Sequence, residues 1–476
     1  MSKKFAIHSL ASLLVLASML LSACGTPATA TASVATQAPA ATQAPAATEA
    51  ATAASANTTP TVAPVATGPS CGTDPVVLNA YFETGFDIPF KLSEEFTKEY
   101  PNVTWNISQD QFANLINAAP RLLAGDNPPD LLRLPTMVTF AKDGLLKNLD
   151  SYATAFGWDK WPASELLQNR VNTTTGQRGD GSLYAAGLNY SMTGVFYNKK
   201  LATQIGMTQP PQTLDEFEAL LAKAKAAGLQ PIMQWGSAKS GMGLAFPLQN
   251  LMASVGPTGP INDWIFDKPD ATIDTPSNLI AAQHLETWIK NGYFPTDINA
   301  IEYTDSNARF VKGEGVFTFN GDWENADYDK NMSGNVGFFL MPPATAGGTH
   351  GAMSAPLTYG IAANAKHADC AAFFLNWVAT NPTARQIDVT VGGSNPGGAA
   401  DATMPSVAAG SVTNETLAAG SVVAKDNGAM DFIANSTSSI FAQGWTPELQ
   451  KMVGGKEDAA GLLKAVQAEY KRELSQ

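Results

Sequence analysis

The sequence predicts an α/β fold with more than one domain. Strand and helix signals alternate from residue 76 onward, and strands joined through helices favour right-handed crossovers and a parallel sheet. The chain has 476 residues, whereas a single domain usually has about 100 to 200. A second alternating series begins near Tyr190. We therefore expect at least two α/β units rather than one compact core.

The first unit is predicted from residue 76 to residue 134. Asp87 and Pro89 mark a helix start, and Pro101 marks its end. The predicted order is strand 76–82, helix 87–100, strand 103–108, helix 110–124 and strand 131–134. Ligands of open α/β sheets bind beyond the carboxyl ends of the strands. That rule points to residues 82–85, which include Glu83 and Thr84, and to Gln109, Asp110, Pro135 and Thr136.

The second unit begins with a predicted strand at 193–199. Thr213 and Glu216 have the pattern of a capping box, and Thr275 with Pro276 has that of a helix start. The later predicted elements are helices 213–228 and 275–292, a short helix capped by Asp305, strands 316–319 and 335–341, helix 369–380, irregular chain to about 430, a turn at 445–447 and a terminal helix.

The N-terminus has the pattern of an export leader. Lys3 and Lys4 precede an apolar run at 10–21, which is too short for a comfortable membrane span. The following Leu-Ser-Ala-Cys, ending at Cys24, resembles the bacterial lipobox, in which the cysteine is acylated. We expect a leader at 1–23 and a lipid anchor on Cys24; the alternative is a plain leader with a chance cysteine.

Residues 24–72 are predicted to be a disordered tether. Almost all of residues 26–70 are Ala, Thr, Pro, Gln, Ser and Val, so large apolar side chains that could offset the entropy of ordering are lacking. The many prolines weaken the alternative of a folded Ala-rich helix.

Charge and cysteine content exclude several classes of function. The formal net charge is −13, so the chain has no evident means of neutralising nucleic-acid phosphates or of binding anionic membranes. Four histidines and the cysteine spacing offer no metal motif, and we expect no cofactor. Cys71 and Cys370 remain after processing, and a disulfide and two free thiols are equally compatible with the sequence.

Six segments carry a resemblance to a known family. They are residues 128–130 (PPD), 143–146 (DGLL), 149–150 (LD), 195–201 (VFYNKKL), 211–217 (PQTLDEF) and 310–323 (FVKGEGVFTFNGDW). In this order and spacing, and with a lipobox leader, the chain resembles the extracellular solute-binding proteins of ABC importers, in the branch that includes maltose-binding and related sugar-binding proteins.

The resemblance implies a periplasmic-binding-protein-like fold with two α/β lobes and three hinge crossings. We expect the crossings near 188–191, 346–352 and 388–396. Lobe 1 would comprise 73–187 plus 352–388, and lobe 2 would comprise 188–351 plus 389–476. A monomer would capture a sugar between closing lobes and deliver it to a membrane permease, on the outer face of the cell membrane.

Sugar sites need aromatic faces for the C–H side of a ring and fixed polar groups for its hydroxyls. The resemblance and the strand-end rule together nominate ligand-binding residues, each with packing, capping or a solvated turn as its alternative. They are Glu83, Thr84, Gln109, Asp110, Thr136, Asn189, Tyr190, Trp235, Asn320, Asp322, Trp323, Ser394 and Trp445.

Three other functions remain open from the sequence. A glycoside-acting enzyme has no short signature, although the sequence contains none of the nucleophile-elbow, zinc-protease, P-loop or dinucleotide-binding motifs. A lipid-anchored adhesin or scaffold would also use a tether. Receptors for polyamines or other small polar solutes share the same scaffold, so the resemblance leaves the ligand open.

Overall fold

The structure is a computed structural model that describes residues 68–84, 87–110, 112–134, 136–240, 243–399, 401–437 and 439–475. The predicted leader, Cys24 and most of the predicted tether lie outside the described residues, as do Gly85 and Pro135. Among the described residues, no helix combines the length and apolar composition that a membrane span requires.

Eleven strands occur in the described part of the chain. They are β1 Val76–Glu83, β2 Val103–Asp110, β3 Leu131–Arg133, β4 Arg170–Val171, β5 Ser182–Leu183, β6 Ala185–Asn198, β7 Phe317–Gly321, β8 Val336–Phe339, β9 Ala352–Gly360, β10 Asn395–Pro396 and β11 Ala429–Met430.

Seventeen α-helices accompany these strands in the same described residues. They are α1 Ile88–Glu99, α2 Phe112–Leu123, α3 Val138–Lys142, α4 Asp150–Phe156, α5 Ala163–Leu167, α6 Lys199–Gln204, α7 Leu214–Ala226, α8 Ala245–Val255, α9 Gly259–Ile265, α10 Pro276–Lys290, α11 Tyr303–Val311, α12 Asn325–Met332, α13 Ala368–Thr380, α14 Pro382–Thr390, α15 Val412–Lys425, α16 Thr446–Val453 and α17 Ala459–Leu474.

The first three strands form the predicted parallel arrangement. β1 pairs in parallel with β2 over its whole length, from Val76 opposite Val103 to Glu83 opposite Asp110, and it pairs in parallel with β3. The sheet continues in the order β10-β6-β9-β3-β1-β2, and the β3–β9 and β6–β9 pairs are antiparallel. The prediction of a parallel sheet is therefore confirmed for β1 to β3. Beyond β3 the sheet continues through the antiparallel strand β9 to β6 and β10.

Strand β6 joins this sheet to a second group of strands. Its first part, up to Met192, pairs with β9, whereas Thr193 to Asn198 pair with β7 and β8. The change of partner between Met192 and Thr193 marks where the chain passes from one set of strands to the other. Strand β10 pairs with β6 beside this point, with Asn395 opposite Tyr190. We call β6, β9 and β10 the crossing strands.

Two large hydrophobic cores lie on either side of the crossing strands. One contains Phe96, Phe374 and Trp377 together with β1 and α13. The other contains Phe217, Trp288 and residues from β7, α8 and α17. The free energy gained by burying apolar side chains is proportional to the area that they remove from water. Each lobe therefore needs a core of its own, and the two separate cores fit two lobes. We use lobe 1 and lobe 2 for these halves; the lobe boundaries at 187/188, 351/352 and 388/389 stay predictions.

Cys71 and Cys370 are joined by a disulfide, which decides between the alternatives that the sequence left open. The bond connects the segment before β1 to the first turn of α13, and both sulfurs belong to the core of lobe 1. It therefore ties the segment before β1 to a helix whose cysteine lies 299 residues later in the chain.

Three sequence predictions of local structure were wrong. Asp305 does not cap its helix: the helix begins at Tyr303, whose N–H donates to the Ser240 hydroxyl over 2.9 Å, and Asp305 lies in the first turn. The stretch to residue 430 is not irregular, because Asn381 caps α14 and Ser411 caps α15 through side-chain acceptors. Instead of a turn at 445–447, a π-helical segment at Ile440–Trp445 continues into α16.

Candidate ligand-binding site

The end of β3 points toward the crossing strands from lobe 1. Leu132 lies opposite Gly360 in the antiparallel β3–β9 pair, and the Leu134 N–H donates to the Thr358 carbonyl over 3.0 Å. Further along β9, Ser354 is paired with Met192 at the change of partner on β6. The chain after β3 therefore brings Thr136 toward the passage between the lobes.

The end of β7 reaches the same passage from lobe 2. Gly321, its last residue, lies opposite Thr193, which is the first residue of β6 to pair with lobe 2 strands. Asp322 and Trp323 follow at once in a short 3-10 turn. The strand-end rule thus places residues of both lobes beside the crossing strands, as the sequence predicted.

Trp323 is partly exposed and is held by a hydrogen-bonded cluster. Its indole N–H donates to the Tyr303 hydroxyl over 2.7 Å, and that hydroxyl in turn donates to Glu324. The edge of the ring meets Phe246, with centroids 6.1 Å apart. A side chain on Gly321 would lie only 2.1 Å from the indole, so the glycine allows the ring to lie against the strand end. The cluster leaves an oriented, partly exposed aromatic surface.

The Tyr303 hydroxyl stays protonated in this cluster. Burial first and then the neighbouring Glu324 carboxylate raise the pKa of Tyr303 well above its usual value. Burial also raises the pKa of Glu324, although the hydrogen bond from Tyr303 opposes this change. A neutral phenol that donates to Glu324 has its lone pairs free to accept from the indole, which explains the orientation of Trp323.

Asp322 and Ser394 lie together but are fully buried. The Ser394 hydroxyl donates to Asp322 Oδ1 over 2.9 Å and lies 3.3 Å from the Ser191 hydroxyl. Burial raises the pKa of the Asp322 carboxyl to about 8, and the hydrogen bonds that it accepts only partly offset this. The pair therefore links the turn after β7 to the first and third crossings, a role that sequence reasoning did not assign.

Asn320 is also enclosed, and its amide positions the turn. Its side-chain NH2 donates to Asn307 over 2.9 Å and to the Tyr328 hydroxyl over 3.0 Å. Since these bonds use the amide donors, Asn320 supports the end of β7 from within lobe 2. A solvated turn, the alternative considered for this residue, does not match its burial.

The other two nominated tryptophans lie in the core of lobe 2. Trp235 packs against Phe246 and Tyr303 with centroid distances of 5.1 and 4.8 Å. Trp445 is 0% exposed, and its indole N–H donates to the Ile433 carbonyl over 3.1 Å. These positions favour the packing role for both residues. Trp235 also supports the Tyr303 ring that orients Trp323.

The nominated lobe 1 residues cluster at the ends of β1 and β2. Glu83 forms an ion pair with Arg133 over 3.1 Å, and burial raises the pKa of Glu83 despite this positive neighbour. The Thr84 N–H donates to the Asp110 carbonyl over 2.9 Å, and the Tyr81 hydroxyl donates to the Asp110 carboxylate over 3.2 Å. The structure therefore brings Glu83, Thr84 and Asp110 together, with the exposed Gln109 beside them.

Asn189 and Tyr190 occupy the first crossing and are buried. Tyr190 lies opposite Asn395 of β10 and Pro356 of β9. Burial raises the pKa of Tyr190 well above its usual value, with the Glu165 charge as the second cause. Both residues thus belong to the hinge itself.

A cavity of about 390 Å³ lies between the lobes at the position of Thr136. Thr136 and Arg178 line it from lobe 1, and Phe266 and Asn435 line it from lobe 2. Arg178 is the main contact across the gap: its guanidinium lies 2.5 Å from the Asp431 carboxylate, donates to the Asn435 carbonyl and lies over the Phe266 ring.

Sequence reasoning missed Arg178, Tyr303 and Ser191. Arg178 lies in a polar, glycine-containing loop between β4 and β5, and one arginine in such a loop carries no periodic or motif signal. Tyr303 was hidden by the prediction that its helix begins at Asp305. All three residues act through partners that are distant in the chain, so no local pattern could have identified them.

Comparisons with known proteins agree with this architecture. The family described as bacterial extracellular solute-binding protein matches residues 83–385, which is more than half of the chain. A probable sugar-binding periplasmic protein of Mesorhizobium japonicum is 25% identical over 216 residues, which cover 45% of this chain and 49% of that protein. A protein of the same description from Rhizobium meliloti is 33% identical over 117 residues, or 24% of this chain and 27% of that protein.

The chain spans at most about half the length of the curated relatives it matches here. Solved structures are similar over a longer range. A chitin oligosaccharide binding protein has a TM-score of 0.67 at 20% identity and covers 85% of this chain and 100% of its own. Maltose-bound MalE3 of T. maritima has a TM-score of 0.65 at 18% identity and covers 83% of this chain and 99% of its own. The two-lobed α/β fold is confirmed, and the chain belongs to the bacterial extracellular solute-binding protein family.

Proposed function

We propose that this chain is the substrate-binding subunit of an ABC importer, which captures a sugar or oligosaccharide between its two lobes and delivers it to a membrane permease. Family membership supports a binding protein located outside the cytoplasm. Relatives described as probable sugar-binding periplasmic proteins support a sugar as the ligand. The two cores on either side of the crossing strands support capture by closure.

The single observation that carries the choice of a sugar is the orientation of Trp323. A partly exposed indole fixed by Tyr303 offers a flat apolar face without the entropy cost of ordering a mobile ring. Sugar rings present C–H groups on one face and hydroxyls on their rim. Thr136 and the groups at the ends of β1 and β2 supply the complementary polar surface in lobe 1.

Arg178 supports a role for closure in binding. Its guanidinium joins lobe 1 to Asp431 of lobe 2, and both side chains are largely buried. An ion pair that joins the lobes stabilises one relative position of them, and a ligand held by both lobes favours the same position. Affinity is thereby coupled to a conformation that a permease can recognise.

The proposal includes a lipid anchor on Cys24 and a tether to residue 72. The Leu-Ser-Ala-Cys sequence supports acylation. Full-length protein with Cys24→Ala is expected to leave the membrane fraction, whereas a Ser22→Ala control stays in it. Retention of the Cys24→Ala protein in the membrane fraction would contradict the anchor.

A thermal-shift and calorimetric panel tests the ligand class. Maltose, raffinose and chitin oligosaccharides should be compared with spermidine and a sugar phosphate. At a ligand concentration about 100 times Kd, the bound protein is stabilised by about 2.7 kcal/mol. If spermidine stabilises the protein and none of the sugars does, a sugar ligand is contradicted. Chromatography of oligosaccharides after incubation with the protein tests for turnover. Shorter products would show an enzyme, whereas we expect the oligosaccharides to remain intact.

A further inference from the structure

The third crossing is the short segment that joins α14 to β10. Helix α14 packs into the core of lobe 1 through Ala384, and β10 pairs with β6. Only residues 391–394 lie between the two elements, and Gly392 and Gly393 are two of them. A hinge motion is absorbed by the backbone torsions of a few residues. The contacts of this segment therefore decide where the chain can rotate.

Lobe 1 holds the first half of the segment. The Gly392 N–H donates to the Ile387 carbonyl over 3.3 Å. The Gly393 N–H donates to the Val389 carbonyl over 3.2 Å, so both glycines are bonded to the end of α14. A Cβ on Gly392 would lie only 2.7 Å from the side chain of Ile88, at the start of α1. The backbone up to the Gly393 N–H is thus packed against lobe 1.

Lobe 2 holds the second half of the segment. Asn325, the first residue of α12, donates from its side-chain NH2 to the Gly393 carbonyl and to the Thr416 hydroxyl, each over 2.7 Å. The Ser394 hydroxyl donates to Asp322 Oδ1 over 2.9 Å. A Cβ on Gly393 would lie 2.5 Å from the Asp322 carbonyl oxygen. The contacts therefore change from lobe 1 to lobe 2 within Gly393, between its N–H and its carbonyl.

Gly393 has a backbone conformation that suits this position. Its φ is +70°, a region that glycine adopts readily and that other residues rarely adopt. Gly392 beside it is also free of the restriction that a Cβ imposes. These two glycines are therefore the residues of the segment that can change their torsions at the smallest cost.

The lobe 2 residues that hold the crossing also flank the proposed sugar contact. Asp322 directly precedes Trp323 in the turn after β7, and Asn325 follows that turn. Asp322 and Asn325 are 0% exposed, and Ser394 is 1% exposed. Breaking a buried hydrogen bond leaves its groups without water to replace the partner, so these bonds persist when the lobes move. The indole and the chain from the Gly393 carbonyl onward then move as one body.

We propose that Asn325 and Asp322 are positioning residues that hold the third crossing against the turn carrying Trp323, so that the lobes rotate at Gly392 and Gly393. We call Asn325, Asp322 and Ser394 the crossing clamp. The pivot then lies a few residues beyond the expected 388/389 boundary. A sugar that contacts Trp323 acts directly on this pivot. That last step rests on the proposed function, whereas the position of the pivot does not.

Small-angle X-ray scattering of the full chain without sugar tests the crossing clamp. Asn325→Ala removes the donors to Gly393 and Thr416, and Ser394→Ala removes the bond to Asp322. Without the clamp the rotation is no longer confined to the two glycines. The lobes then sample more open arrangements, and we expect the radius of gyration to rise above that of the wild type.

Asn278→Ala is the matched control for Asn325→Ala. Asn278 is 4% exposed, and its side-chain NH2 donates to the Ile273 carbonyl over 2.9 Å at the start of α10. The control thus loses a comparable buried hydrogen bond in lobe 2 that does not involve a crossing. A purely stabilising role would lower the free energy of unfolding in both asparagine variants and leave the radius of gyration unchanged.

Calorimetry with a sugar of the panel tests the link to the ligand. A variant without the crossing clamp populates the binding-competent arrangement less often, and the apparent affinity falls by that fraction. We expect sugar affinity to fall by about threefold or more in Asn325→Ala and in Ser394→Ala. Asn278→Ala should keep the wild-type affinity.

An unchanged radius of gyration in both clamp variants would overturn the proposal, and so would an equal rise in Asn278→Ala. Ser394→Ala decides the question if Asn325→Ala fails to fold. Wild-type sugar affinity in a variant whose radius of gyration has risen would overturn the link between Trp323 and the crossing. If no sugar of the panel binds, the proposed function is contradicted, and the scattering without sugar still decides the position of the pivot.

Discussion

The turn after β7 and the π-helical segment before α16 each present a tryptophan in lobe 2, and the two indoles have opposite environments. Trp323 is partly exposed and donates to the hydroxyl of Tyr303, a side chain. Trp445 is fully enclosed, donates to the backbone carbonyl of Ile433, and meets Trp264 edge-on with centroids 6.0 Å apart.

The comparison shows that a tryptophan near a turn signal is not by itself a ligand contact. Trp323 follows a strand whose end lies at the passage between the lobes, and the core of lobe 2 encloses its ring only in part. Trp445 begins a helix whose neighbours come from α9 and α17, which enclose the ring. The position of the chain segment in the fold decides which indole can contact a ligand.

The largest expected effect is on the stability of the Trp445→Ala protein. Removing a fully buried indole leaves a cavity and should lower the free energy of unfolding by about 3 to 5 kcal/mol. Urea unfolding followed by fluorescence measures this loss, and Trp445→Phe should lose less because it fills more of the space. A folded Trp445→Ala protein of unchanged stability would remove the contrast between the two indoles.

Trp323→Ala should show the reverse pattern. Sugar affinity should fall by about tenfold or more, and a tenfold change equals about 1.4 kcal/mol. The free energy of unfolding should fall less than in Trp445→Ala. Calorimetry with the best sugar of the panel measures the affinity. Trp105→Ala is the matched control, because that indole is also partly exposed but lies in the middle of β2. Equal affinity in wild type and Trp323→Ala would contradict the proposed site.

Tyr303→Phe tests whether the indole must be held in place. The change removes the hydroxyl that joins Trp323 to Glu324, and should cost about 1 kcal/mol of stability and a few-fold in sugar affinity. Tyr293→Phe, on another helix end, should keep full affinity. If Tyr303→Phe destabilises the protein and leaves sugar affinity intact, the cluster is structural only.

The last expected effect is a slope, namely the change of the free energy of unfolding with pH. The pKa of the Asp322 carboxyl is raised to about 8 by burial, whereas an unfolded Asp titrates near about 4. Between these values the folded protein keeps a proton that the unfolded chain has lost, so this group's stabilisation falls as pH rises toward 8.

Asp322→Asn removes that titration. The free energy of unfolding should decrease less steeply between pH 5 and pH 8 in the variant than in wild type, by up to about 1.4 kcal/mol per pH unit, which is the slope for one whole proton. Denaturant unfolding at several pH values measures both slopes. Identical slopes would show that Asp322 is ionised in the folded protein and that burial does not raise the pKa of its carboxyl.

Local sequence determined many of the longer helices and strands, because their signals depend on neighbours within a few residues. Thr213 and Thr275 cap α7 and α10 through their hydroxyls as predicted, and the parallel order of β1, β2 and β3 follows from strand and helix alternation. One of the wrong predictions lies where a distant group replaced a local one, because Ser240 satisfied the N–H of Tyr303 and the helix begins before Asp305.

Sequence by itself determined that this is an α/β chain with a solute-binding-protein resemblance, a strand end at Asp322 and Trp323, and two cysteines in one half. Only the tertiary structure decided that the cysteines are bonded, that Trp445 and Trp235 pack inside lobe 2, that Asp322 links the crossings, and that Arg178 joins the lobes. The physical reason is that exposure and pairing depend on which surfaces meet, and those surfaces come from segments up to hundreds of residues apart.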